Sequence, residues 1–161
     1  MSKAKKLVIE NGILTRYKGT DTEIVIPDGV TSIGDSAFSW CTSLMSIEIP
    51  KGVTSIGDSA FYKCTSLTNI VIPEGVTTIG ENTFSWCESL TSITIPEGVM
   101  SIEEGAFWNC EKLKIVTIPE SVTSIGRYAF RGCENLSSVT VPKEAKIAQD
   151  AFPKSTEIIR K

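Results

Sequence analysis

Apolar positions along this chain recur in one fixed order, separated by polar ones, and the order repeats every 23 residues. One copy reads Leu44-x-x-Ile47-x-Ile49-Pro50-x-x-Val53-x-x-Ile56-x-x-x-Ala60-Phe61-x-x-Cys64. Prolines at 27, 50, 73, 96, 119 and 142 keep the same step. So do the columns Phe38-Phe61-Phe84-Phe107-Phe130 and Cys41-Cys64-Cys87-Cys110-Cys133, and a leucine column from Leu44 to Leu136. A valine column runs from Val30 to Val122 and an isoleucine column from Ile33 to Ile125. Self-similarity at this period marks a solenoid, in which each copy forms one rung that cannot bury its own apolar face and stacks on the next.

The pattern within a rung predicts its elements. Ile47-Glu48-Ile49 alternates apolar and polar, as a half-buried strand does. Pro50 has no N–H to donate and ends the strand, and Pro50-Lys51-Gly52 turns the chain. Val53 and Ile56 return to the interior, through a second short strand. Asp58-Ser59-Ala60-Phe61 is long enough for one helical or 3₁₀ turn only. Stacked rungs pair strand with strand in parallel, about 4.8 Å apart, so that each Phe, Leu and Ile packs on its own copy. Burying one such side chain contributes roughly 1.5–3 kcal/mol before the ordering entropy is subtracted.

The ends depart from the repeat as lids should. Leu7 to Leu14 reads as a hairpin around an Asn11-Gly12 type I′ turn. Near the other end Phe152 follows Phe130 by 22 residues, Ser155 stands where cysteine is due and Ile158 where leucine is due. We therefore expect one domain over 1–161: a cap over 1–23, repeats over 24–141, and a shortened capping repeat over 142–161.

The Leu-x-x-Ile-x-Ile-Pro-x-x-Val-x-x-Ile-Gly core and the Ala-Phe-x-x-Cys turn resemble the BspA-like class of bacterial leucine-rich repeat. The likeness covers residues 24 to 141, and the lead-in Ile13-Leu14-Thr15-Arg16-Tyr17-Lys18-Gly19 is also similar. Two departures are Glu103 and Ser121, each at a position where glycine is usual. The resemblance implies a leucine-rich repeat solenoid with a parallel β-sheet on the concave face and short 3₁₀ or helical turns on the convex face. It also implies a surface or secreted adhesion-type protein that binds a protein or glycan ligand and is not an enzyme. No motif position of the family is catalytic, so no site residue carries over.

Composition narrows the chemistry. The formal charge is −3, with no basic cluster beyond Lys3 to Lys6, which argues against nucleic acid as a partner. No apolar run is long enough to insert in a membrane. Met1 to Lys6 has a basic start but no apolar core behind it, so it is no secretory signal; an exported parent would have lost its signal or would use another route. The absence of histidine removes Ser-His-Asp and Cys-His catalysis and the usual zinc sites. The cysteines read as a column of free apolar thiols, odd in number and without Cys-x-x-Cys spacing. Neither a cofactor nor a metal is expected. Asp35, Asp58, Glu81 and Glu104 form one acidic column, and Glu74, Glu97 and Glu120 another. Paired carboxylates can hydrolyse glycosides, but columns made by repetition fit a solvated margin better. The triplet Asn135-Leu136-Ser137 is discounted for glycosylation because Leu136 belongs to the core.

A ligand can only be chosen by positions that differ between rungs. One set lies between the buried columns of the sheet: Met45, Glu48, Asn69, Val71, Thr94, Lys114, Thr117 and Thr140. A second follows each Phe and holds Trp40, Trp86 and Trp108, as anchors for a partner or as filling between turns. Threonine is also an ordinary solvent-facing strand residue. A consensus-like or engineered scaffold, or a spacer without a natural ligand, is the alternative to a binding module. We expect a monomer, with end-to-end self-association possible through open strand edges.

Overall fold

The structure is a computed structural model that describes residues 6–161. The basic start over residues 1–5 lies outside the described residues. Its strands, in chain order, are β1 (Leu7–Glu10), β2 (Ile13–Tyr17), β3 (Glu23–Val25), β4 (Ser32–Ile33), β5 (Ser46–Glu48), β6 (Ser55–Ile56), β7 (Asn69–Ile70) and β8 (Thr78–Ile79). Then come β9 (Ser92–Thr94), β10 (Ser101–Ile102), β11 (Ile115–Thr117), β12 (Ser124–Ile125), β13 (Ser138–Val141), β14 (Lys146–Ile147) and β15 (Glu157–Arg160). They build a parallel β-solenoid of two ladders. The odd strands from β3 to β15 stack on one side. On the other, β2-β4-β6 and β8-β10-β12-β14 pair in parallel, one residue-for-residue step per rung.

The repeat decides the register. Ile24 pairs with Ile47, Ile47 with Ile70, and Val116 with Ile93, so equivalent β-branched residues meet and their neighbours are forced outward. The second short strand expected after Pro50 is β6. The phenylalanine column runs through the centre: the rings of Phe38, Phe61, Phe84, Phe107, Phe130 and Phe152 stack at centroid distances of 4.9 to 5.5 Å. Tyr17 continues this column into the cap, tilted 33° on Phe38. Its hydroxyl leaves the core to donate to Asp21, which also pairs with Lys6 at 3.2 Å.

The turns beside the Phe column hold a third ladder. The N–H groups of Ala37, Ser39 and Cys41 donate back to the carbonyls of Gly34, Ser36 and Phe38. Those of Ser36, Phe38 and Trp40 donate forward to Asp58, Ala60 and Tyr62 of the next rung, at 2.9, 2.8 and 2.7 Å. Every second peptide thus serves the stack and not the turn, which stops the short turns from growing into a helix. The alternation requires left-handed backbone twice per rung, at Ser36 (φ 57°) and Trp40 (φ 64°), and again at Ser59 and Lys63, Asn82 and Trp86, and Gly105 and Asn109.

The N-terminal hairpin forms as read: β1 and β2 pair antiparallel around Asn11 (φ 51°) and Gly12 (φ 79°), both positive as a type I′ turn needs. The C-terminal rung differs from the expectation at one place. Phe152 keeps the Phe column, but Ile158 pairs with Val139 and so continues the strand column of Ile47, Ile70, Ile93 and Val116, not the leucine column. The link is cut short by a turn in which Thr156 N–H donates to Pro153, and the buried Thr156 hydroxyl donates to Leu136 O at 2.7 Å. Ser121 is tolerated for glycine because its turn there has no positive φ, whereas Gly29 and Gly98 sit at φ 97° and 99°.

Candidate functional site

Strand alternation sorts the sheet face. In β5, β9 and β11 the isoleucine or valine at the centre is buried, and the residues on either side point outward. Pairing aligns Val25 with Glu48 and Thr94 with Thr117, and the repeat continues this column through Val71 and Thr140 to Ile159. The neighbouring column runs Glu23, Ser46, Asn69, Ser92, Ile115 and Ser138. Met45 and Lys114 lie just before their strands, also exposed, their N–H groups held by the carbonyls of Thr22 and Thr91. All eight sheet positions singled out above are therefore exposed along one face.

The face is not uniform. Over the first three rungs it forms an open trough of about 990 Å³, walled by β3, β5, β7 and the turns at Asp28-Gly29 and Pro50-Gly52. A smaller hollow of about 260 Å³ continues past Val71 to Thr94 and Pro96. Val25 and Val71 are 65% and 74% exposed, unusual for valine, and Glu48 stands between them. Val25, Glu23 and Asp28 belong to this trough but were missed by sequence reading. Carrying the 23-residue step back from Glu48 and Ser46 finds the first two.

The tryptophans lie on the turn side and do not form one patch. Trp40, Lys63 and Trp86 share a column. The Lys63 ammonium sits 4.3 Å from the Trp40 ring centre and 5.1 Å from that of Trp86, a cation held between two π faces. Trp108 occupies the adjacent column and packs on Tyr128 at 5.5 Å. Trp86 and Trp108 are half-buried, and only Trp40 is largely exposed, at 61%.

The remaining candidate chemistry is structural. The Asp35 carboxylate accepts the Asp58 N–H at 2.9 Å, and the Asp58 carboxylate accepts the Glu81 N–H at 3.0 Å, so these side chains tie one rung to the next. Cys64, Cys87, Cys110 and Cys133 are buried as free thiols, each Sγ–H donating to the carbonyl of Phe38, Phe61, Phe84 or Phe107 at 3.1 to 3.3 Å. Burial pushes the Cys87 thiol up to about 12 and that of the half-buried Cys41 to about 11. Among the described residues no group of three Cys, Asp or Glu side chains is placed to hold a metal ion. Among the same residues no helix is long and apolar enough to cross a membrane.

Comparison with known proteins agrees with the geometry. The family model for the BspA type leucine rich repeat region matches residues 16–136 and 59–160, and the chain belongs to that family. Among solved structures, the leucine rich repeat protein of T. pallidum, TpLRR, is 32% identical with a TM-score of 0.77, over 91% of this chain and 77% of that one. A leucine rich cell surface protein of Faecalibacterium prausnitzii is 33% identical with a TM-score of 0.67, over 89% of this chain and 48% of that one. A leucine-rich repeat protein of Eubacterium ventriosum is 28% identical with a TM-score of 0.70, over 97% and 51%. The chain thus spans about half the length of the latter two. No curated protein matches the sequence.

Proposed function

We propose that this chain is a non-enzymatic recognition module that engages a macromolecular ligand, protein or glycan, through the outward face of its odd-numbered strands, at a bacterial cell surface. The observation that carries this reading is the division of labour within each strand. The same three residues bury an invariant isoleucine or valine and expose two positions that change from rung to rung. Packing asks nothing of those two positions, so they are free to specify a partner, as solenoid faces do. The cell-surface assignment of the Faecalibacterium protein supports the location. The carboxylate columns support the non-enzymatic reading, since Asp35 and Asp58 are engaged with backbone and not aimed at each other across a cleft.

The test is a variant of the face, N69K/V71K/T94K/T117K, compared with the parent on arrays of matrix proteins, bacterial surface proteins and glycans. The parent should bind at least one component, and the variant should lose that binding by at least about tenfold while melting like the parent, since exposed substitutions change stability little. A parent that binds nothing, or a variant that binds as well, removes the proposal.

A further inference from the structure

Among the described residues, the trough over β3, β5 and β7 carries more negative charge than its surroundings balance. Glu23, Asp28 and Glu48 line it against Lys51, and Glu74 borders the hollow that continues it. The ion pair found among the described residues is Lys6–Asp21, in a small recess that Glu23 also lines, and none of the four accepts a hydrogen bond from a described side chain. Between them stand the exposed Val25 and Val71. An apolar side chain on each side of an unneutralised carboxylate, spaced at about 4.8 Å per strand, is a surface complementary to a cation flanked by apolar groups.

We infer that the ligand of this trough is an extended polypeptide segment in which lysine or arginine alternates, on one side of the chain, with aliphatic residues. The inference rests on the proposed recognition face and assigns its occupant. A phosphate-bearing or otherwise anionic polymer would meet like charge. A neutral glycan is disfavoured for a different reason. Sugar rings are held by aromatic platforms, and this face has none, because every tryptophan lies on the turn side. An extended segment places residues i and i+2 on one side about 6.8 Å apart, about 2 Å more than the step between strands, so when the ammonium of a Val-x-Lys-x-Val segment meets Glu48 its flanking methyl groups reach the outer edges of Val25 and Val71. The excess of carboxylates also steers a cationic segment toward this end of the molecule, an effect that salt screens.

The probes are fluorescein-labelled peptides repeating Val-Ser-Lys-Ser, with Val-Ser-Glu-Ser and Ser-Ser-Lys-Ser repeats as controls, titrated with the intact chain and followed by anisotropy. The Val-Ser-Lys-Ser peptide should bind more tightly than either control, and more weakly as salt rises. Affinity should fall about fivefold or more in E23Q/E48Q and again in V25S/V71S, both checked for an unchanged melting curve. Equal binding of the lysine and glutamate peptides, or no effect of E23Q/E48Q, overturns the inference. If the Lys peptide fails while a glycan or acidic protein binds and is lost in N69K/V71K/T94K/T117K, the recognition face stands and its assigned occupant falls. If nothing binds to the face at all, both fall together.

Discussion

At the scale of single residues, the cysteine column shows how a small side chain is fixed by its surroundings. Each buried thiol fills a space beside the Phe stack and gives its one proton to a carbonyl of the preceding rung. Burial disfavours the thiolate, so Cys87 is pushed up to about 12, and Cys64 and Cys110 rise well above their ordinary 9.0. The folded state keeps these protons to a higher pH than the unfolded chain does. The stability they contribute is therefore complete below about pH 9 and is lost as the pH climbs from there toward the folded values. Each such thiol steepens the loss by up to about 1.4 kcal/mol per pH unit. Denaturant melts between pH 8 and 11 should show stability falling above pH 9, with a slope shallower by one proton in Cys87→Ala. An unchanged slope would mean that the thiol is not shielded from water. Trp40 and Trp86 illustrate the opposite case, large side chains held at φ 64° where glycine or asparagine is the unstrained choice. Lys63, held in the same conformation at φ 57°, lies between their rings.

At the scale of elements, each strand is too short to persist alone and stands only because a copy lies on either side. Position along the stack must then govern energetic cost. Phe84 is fully buried between Phe61 and Phe107, whereas Phe152 ends the column half-buried on Phe130 alone. Phe84→Ala should cost about 3–5 kcal/mol and Phe152→Ala clearly less, measured by equilibrium unfolding in urea; equal costs would contradict the stack. The columns, the short strands, the Asn11-Gly12 hairpin and the continued Phe152 were legible in sequence because packing between identical neighbours demands identical residues. The turn ladder was not. Its left-handed positions are signalled by Asn82, Gly105, Asn109 and Gly132 but masked by Ser36, Trp40, Lys63, Trp86 and Tyr128 in the same columns. The place of Ile158 was hidden too, because its register is set by a shortened link and the Thr156 hydroxyl rather than by spacing. The trough was half-legible: Glu48 and Val71 declared themselves by differing from their neighbours, while Glu23 lay in the segment read as the cap and Val25 at the very start of the first repeat.

At the scale of the whole molecule, a uniform spine supports an uneven exterior. The two ends are stepped. Beyond the rung of β3 and β4, the second ladder continues through β2 and β1, while at the far end β15 reaches one rung past β14. A second copy adding its β15 to β3 would bring its β14 to the place that β1 holds, so we expect the hairpin to oppose end-to-end growth. Along the face, carboxylates gather at the first rungs and Lys114 stands farther on, which gives the proposed recognition surface a direction. Everything rests on the separation of a spine that packing dictates from a face that packing leaves free. The most direct measurement is a saturation scan of residues 47–69, one full rung, read by the abundance of folded protein. The account predicts that Ile47, Val53, Ile56, Ala60, Phe61, Cys64 and Leu67 tolerate almost nothing, whereas Glu48, Thr54, Thr68 and Asn69 accept most polar and small residues. Glu48 and Asn69 proving as intolerant as Phe61 would make the face part of the fold, and would leave no free surface to recognise a partner.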